Sequence, residues 1–389
     1  MTSATGNRTM TNRQRALAVL HYESYDRLPI VHFGYWKDTP QKWAAEGHLS
    51  QAEADEFNNT NRVCEEISQR LGFDFGWGTG WGGQTWMRPA FERRVVKELP
   101  DGSRHELNPD GVVTVVKPGV ACIPAEIEHT LTDRASWEKD YRHRFEWSEE
   151  RVTGQSFGGK PWNEGGLELL QSEAEDVPRG ISCGSLYGKI RNMMGVEGTC
   201  YMQADDPELF DEIVDIVADL CYRSVEFILK AGARFDYGHF WEDICFKSGP
   251  LVTPAYFAEK VGPHYKRITD LLAEHGIDVV SLDCDGMIDA LLPTWLENGV
   301  NTMFPIEVGT WKASIAPWRE QYGRRLLGVG GMDKKVFAFD KAAVKAEVER
   351  LKPLVELGGF IPCPDHRIPP DAEWELVRYY TDLMREAFS

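Results

Sequence analysis

The sequence contains no run of eighteen or more apolar residues, so it predicts no membrane-spanning helix. Its opening segment, Met1 to Met10, lacks the apolar core of a secretory signal and reads as a short frayed tail. Positive charge is scarce: 43 Lys and Arg stand against 61 Asp and Glu, a formal net charge of −18. Such a surface repels phosphate backbones, which excludes nucleic acid as the expected partner. The eight cysteines, at 64, 122, 183, 200, 221, 245, 284 and 363, form no C-x-x-C pair. Reduced thiols in a cytoplasmic protein are therefore expected. A P-loop and a G-x-G-x-x-G that opens a helix after a strand are missing, so no nucleotide-phosphate site is indicated.

What is present is a repeated local pattern in the C-terminal half. Short apolar runs end in carboxylates or a histidine, and each is followed by a helix-like segment. Phe235-Asp-Tyr-Gly-His-Phe-Trp leads to Glu242 and Asp243, and Ile277-Asp-Val-Val-Ser-Leu leads to Asp283-Cys284-Asp285-Gly286. Val300-Asn-Thr-Met-Phe-Pro-Ile leads to Glu307, and Gly359-Phe-Ile-Pro-Cys-Pro leads to Asp365-His366. Alternation of this kind reads as βα units, and in a closed barrel the strand ends gather at one face. Strand candidates fall near 28–33, 71–77, 179–184, 235–241, 277–282, 299–306, 326–330 and 359–364. Eight strands predict an α/β fold of the (β/α)8 barrel type, one domain over residues 1–389.

Two regions stand outside that repeat. Residues 11 to 22 predict an amphipathic helix opened by a Thr or Asn cap, an N-terminal helical extension. Residues 78 to 175 are rich in Gly and Trp and hold two Asp-Gly turns, Asp101-Gly102 and Asp110-Gly111, between β-rich runs. These predict an antiparallel hairpin insertion near the barrel mouth. Further along, Asp206-Pro207 predicts a capped helix with its apolar stripe on Phe210, Ile213, Val217, Leu220 and Ile228. A helix from Asp340 is expected to kink at Pro353.

The strand ends carry the candidate chemistry. Asp283, Asp285, Glu307 and His366 offer oxygen and nitrogen ligands for zinc or another divalent metal, with Cys284 as an alternative thiolate. Glu242 and Asp243 are candidates for a general acid or a further ligand, and a helix cap explains an Asp at such a place equally well. His32 and His239 lie on apolar strands, where a hydrogen-bonded core histidine is the usual finding; His239 is kept as a catalytic candidate and His32 as a substrate contact. Trp77, Trp81 and Trp86, with Tyr35 at the first strand, form a candidate aromatic substrate wall, although packing also explains a tryptophan excess.

The segments Glu242 to Pro254, Asp283 to Gly286, Gly299 to Glu307 and Gly359 to Asp371 resemble the uroporphyrinogen decarboxylase superfamily. The resemblance spans Arg13 to Tyr380 and is most specific after residue 200. More narrowly, the chain resembles the cobalamin-dependent methyltransferases of that superfamily, whose fold is a (β/α)8 barrel. True decarboxylases carry arginines after the first strand to hold tetrapyrrole acetates. Here that segment reads Leu28-Pro-Ile-Val-His-Phe-Gly-Tyr-Trp36, with no arginine after the strand.

The methyltransferase branch uses an H-x-C motif and a late Cys to bind zinc. This chain offers Asp283-Cys284-Asp285 and His366 at the corresponding places, harder ligands that leave a metal more Lewis-acidic. The resemblance thus implies transfer of a methyl group from a small donor, an aromatic methyl ether above all, to Co(I) of a separate corrinoid protein. The chain itself has no D-x-H-x-x-G motif for cobalamin. The alternatives are a metal-dependent lyase or decarboxylase on the same barrel, and a non-catalytic corrinoid- or tetrapyrrole-binding protein. A homodimer is compatible with the resemblance.

Overall fold

Eight short parallel strands carry the fold. The computed structural model describes residues 9–118, 124–174 and 176–389, so Cys122 lies outside the described residues. β1 (Val31–His32) and β2 (Phe75–Gly76) pair with each other. β3 (Gly180–Gly184), β4 (Tyr237–Trp241), β5 (Val279–Asp283), β6 (Thr302–Phe304), β7 (Leu327–Met332) and β8 (Phe360–Pro364) form a six-stranded parallel sheet in sequence order. One parallel bridge at each side links the pair to this sheet, Tyr35 to Ile368 and Trp81 to Ile181. The first two strands are shorter than the expected 28–33 and 71–77. Leu71 ends the helix Arg62–Leu71, which Gly72 closes at φ +90° in the left-handed region where glycine is unstrained.

The helices follow their sequence signals. Asn12–Leu20 (α1) opens with a capping box between Thr11 and Gln14. Gly188–Asp205 (α2) breaks at Gly195, where φ is +67°. Pro207–Lys230 (α3) has the Asp206 carboxylate accepting from the Leu209 N–H, and Phe210, Ile213, Val217, Leu220 and Ile228 are all buried. Gly262–Glu274 (α4) and Lys341–Glu356 (α5) cover other parts of the sheet, and Pro353 sits inside the last turn of α5. No described helix is long and apolar enough to cross a membrane.

Between β2 and β3 the chain forms a four-stranded antiparallel sheet from Arg94–Glu98, Arg104–Leu107, Val112–Val116 and Ala125–His129. Asp101-Gly102 and Asp110-Gly111 stand at its first two turns, both glycines at φ +80°. Its last strand packs against α2, the His129 ring filling the space that a side chain at Gly195 would take.

The alternation of side chains decides what faces inward. On β4, a Cβ at Gly238 would meet Leu272 of α4, and Phe240 packs on Tyr265 at 4.9 Å, so Tyr237, His239 and Trp241 share the opposite face. On β5, Ser281 accepts a hydrogen bond from the Trp77 indole at 3.2 Å across the interior. Asp283, two residues on, shares the face of Ser281, and Cys284 takes the other.

Candidate functional site

The loops that leave β4 and β5 bring three carboxylates together. Ligand atoms of Asp243, Asp283 and Asp285 lie within 4.8 Å of one another. The backbone fixes them from both sides. The Asp285 N–H donates to Asp243 Oδ1 at 3.0 Å, and the Arg191 guanidinium donates to the Asp243 carbonyl at 2.9 Å. Asp243 is held at φ +50°, a left-handed conformation that costs an aspartate energy unless its surroundings impose it.

Glu307 and His366 flank the cluster. Glu307 accepts from the Gly286 N–H at 2.6 Å and from Thr310 Oγ1 at 2.7 Å. Just before it, Ile306 stands at φ +57°, strained backbone for a β-branched residue. His366 Nε2 is 3.4 Å from Asp285 Oδ2. Its ring stacks on Trp36 at 5.5 Å and meets Phe33 edge-on at 5.2 Å.

So many acids in one buried place cannot all be ionised. Burial, and then the Asp285 charge, push the Asp243 carboxyl up to about 6. Asp283 is raised well above the carboxylate range by burial and by Asp243 and Asp285, with Arg367 opposing. Glu307 is raised by burial first and Asp285 next. Asp285 Oδ1 is buried without any hydrogen-bond partner. A divalent cation answers all of these conditions: it neutralises the clustered charge and gives the orphaned oxygen a partner. The donor set is all oxygen, which zinc accepts and which suits harder cations as well.

Several expected site residues stand elsewhere. Cys284 is buried beside Cys245, its thiol donating toward the Asp285 carbonyl at 3.6 Å, and burial pushes its pKa well up. Strand alternation sets it on the other face, and its sulfur is not among the atoms of the three-carboxylate cluster. Glu242 is fully buried and already saturated. It accepts from the Leu186, Tyr187 and Gly188 N–H groups, from Ser185 Oγ and from the Tyr265 hydroxyl, which makes it the anchor of the α2 N-terminus. Tyr35 is a core residue, its hydroxyl on Ser68 Oγ at 2.9 Å and its ring against Trp43 and Phe57.

The tryptophans divide in the same way. Trp77 is buried and stacks on Tyr237 at 4.3 Å in the strand interior. Trp81 bonds the Ser156 carbonyl and stacks on Trp162 at 5.7 Å. Trp86 donates to Asp110 and packs on Phe145 within the inserted region. His32 is buried, its Nδ1 accepting from the Gly34 N–H at 2.9 Å, and burial lowers its pKa to about 4. His239 is wholly buried with neither ring nitrogen partnered, and burial lowers its pKa to about 3.

A cleft of about 640 Å³ is lined by His32, Phe33, Trp77, Trp81, Tyr237 and Arg367, among others. A larger one of about 800 Å³, between the strand Ala125–His129 and α2, lies away from the carboxylate cluster. The aromatic cleft is the one beside the cluster, because Phe33 on its wall meets the His366 ring at 5.2 Å. Sequence reading missed Phe33, Trp36, Arg191 and Arg367. Trp36 and Arg367 lie within four residues of strand ends, a signal that was legible; Arg191 arrives from a helix far along the chain and carried none.

Residues 166–387, more than half of the chain, match the family model described as uroporphyrinogen decarboxylase (URO-D). No curated protein matches the sequence significantly. Among solved structures, a methyltransferase from Methanosarcina mazei aligns over 97% of this chain and 99% of its own, with a TM-score of 0.59 at 15% identity. A B12-independent methionine synthase from Shewanella sp. W3-18-1 aligns over 92% and 98%, with a TM-score of 0.42 at 11% identity. A putative vitamin-B12 independent methionine synthase from Listeria monocytogenes aligns over 60% and 71%, with a TM-score of 0.34 at 16% identity.

Proposed function

We propose a methyl-transfer reaction for this chain, which belongs to the uroporphyrinogen decarboxylase family. The eight strands are read as one closed (β/α)8 barrel over residues 1–389, carrying an insertion over about 78–175 and working in the cytoplasm. The donor is a small aromatic methyl ether, and the acceptor is Co(I) on a separate corrinoid protein that docks over the strand ends. The observation that carries this reading is the three-carboxylate cluster beside an aromatic cleft. The fold shared with the Methanosarcina mazei methyltransferase supports it, since the same scaffold bears that activity by name.

In the reaction the methyl carbon–oxygen bond breaks and a methyl carbon–cobalt bond forms on the partner. Co(I) supplies the electron pair and ends as Co(III). The pair of the broken bond stays on the phenolate oxygen, which then takes a proton. A divalent cation, zinc or another, held by Asp243, Asp283 and Asp285 with Glu307 beside them, would supply a Lewis acid for the ether oxygen. His366, adjacent to Asp285, is placed to protonate the leaving oxygen, and Trp36 holds its ring by stacking. Phe33 and Trp77 provide apolar walls for the donor ring and exclude water from it.

The test is spectroscopic. Protein supplied with zinc, guaiacol and reduced corrinoid protein should yield the methyl-Co(III) spectrum, and Asp283→Asn and His366→Ala should not. Transfer from a methylamine with none from any aryl ether would discard the ether and keep the methyltransferase. No transfer from either donor class would discard both.

A further inference from the structure

The aromatic cleft has one unspent positive charge. Arg367 follows β8 by three residues, is exposed, and lines the cleft together with Phe33, Trp77 and Trp81. Among the described residues its guanidinium makes no ion pair and no hydrogen bond; its nearest ring is Trp36, 5.8 Å from the centroid. The other arginine on the cleft wall, Arg179, is committed. It donates to the Leu170 and Ser172 carbonyls and covers the Phe157 ring at 5.0 Å. Two acids line the same wall, Glu65 and Asp176; among the described residues neither forms an ion pair, and Asp176 accepts from Asn12.

Arg94, Arg325 and Arg378 likewise form no ion pair among the described residues, so what sets Arg367 apart is its place on the cleft wall. A guanidinium free of partners on the wall of a cleft of mixed polar and aromatic lining offers a planar fork of donors that matches a carboxylate bidentately. Aromatic rings on the same walls select what bears that carboxylate. Phe33 of the cleft wall meets the His366 ring at 5.2 Å, and His366 Nε2 is 3.4 Å from Asp285 Oδ2, so a ligand held in the cleft lies beside the carboxylate cluster.

We infer that the substrate is an aromatic carboxylate, with Arg367 binding the carboxylate while the ring lies in the cleft. On the methyl-transfer reading, on which this rests for its second half, the donor is a methoxybenzoate rather than a neutral aryl ether or a methylamine. Arg367 is then a specificity-determining residue; it takes no part in breaking the carbon–oxygen bond.

Binding tests this separately from turnover. Calorimetric titration of the full-length protein with 4-methoxybenzoate and with 4-methoxybenzyl alcohol, no corrinoid protein present, should show the acid bound at least about tenfold more tightly. Arg367→Gln should erase that preference, and Arg367→Lys should keep part of it, with thermal midpoints unchanged in both. Equal binding of the two ligands by the natural protein would overturn the inference. So would a preference that survives Arg367→Gln, or one that vanishes on chelation of metal, since the carboxylate would then be sitting on the cation. Failure of methyl transfer alongside an Arg367-dependent preference would discard the reaction and keep the anion site. Transfer from neutral ethers, unaffected by Arg367→Gln, would do the reverse.

Discussion

The Asp285 N–H donates to Asp243 Oδ1 at 3.0 Å across 42 residues of sequence, tying the loop after β4 to the loop after β5. This bond orients one carboxylate with the backbone of another. The geometry is set by backbone, which leaves the remaining carboxylate oxygens free for a ligand.

Cation binding should follow the three aspartates. Zinc titrated into the apo-protein is expected to bind at about one equivalent and raise the thermal midpoint. Asp283→Asn and Asp285→Asn should each remove the effect, while Cys284→Ser leaves it intact. Protons compete for Asp243, whose carboxyl titrates at about 6 among Asp283, Asp285, Glu307, His366, Arg191 and Arg367. The shift in midpoint should therefore be larger at pH 7.5 than at pH 5. Retained binding in both aspartate variants would refute the cluster.

Gly286→Ala probes the same loop through its backbone. Gly286 lies at φ +87°, and a Cβ there would meet the Cys245 carbonyl oxygen at 2.4 Å. The substitution should lower stability by about 1–3 kcal/mol and displace the Gly286 N–H from Glu307. Denaturant midpoints and zinc titration of the variant check both effects.

Glu242 should matter for folding rather than for turnover chemistry. Its oxygens accept from three backbone N–H groups and two hydroxyls in a site sealed from water. Glu242→Gln turns an amide NH2 toward some of those donors and should cost about 1–3 kcal/mol. Urea unfolding measures it; a neutral result would mean the carboxylate is dispensable to the α2 N-terminus.

Acid should destabilise the protein in part through its buried histidines. His239 and His32 titrate in the fold at about 3 and about 4, below the usual value of about 6.5 for an unfolded chain. Below pH 6.5 the unfolded chain therefore binds the extra protons, and the stability present above that pH is lost as pH falls toward the folded values. His239→Gln should lessen the loss between pH 6.5 and pH 4. Identical pH profiles for the variant and the natural protein would contradict the assignment.

Much of the fold was legible in the sequence because its signals are local. Caps at Thr11, Asp206 and Asp340 start helices where expected, and the Asp-Gly turns at 101 and 110 sit between antiparallel strands. The carboxylates at the ends of β4 and β5 were legible for the same reason, since each ends an apolar run. Which of them meet was not. Asp243 joins Asp283 and Asp285 while its neighbour Glu242 turns to the α2 N-terminus, a division that one residue of chain decides and only the packing of Tyr265 and Ser185 reveals.

The sequence by itself determined the order of strands and helices, the acids at the strand ends and the shortage of positive charge, because hydrophobic period, caps and turns act over a few residues. The tertiary structure alone decided that Cys284 faces away from the metal-ligand candidates, that Tyr35 is core, and that Arg367 stands free beside Trp36 and the aromatic cleft. Those outcomes depend on strand alternation in three dimensions and on partners tens to hundreds of residues away, where no local propensity acts.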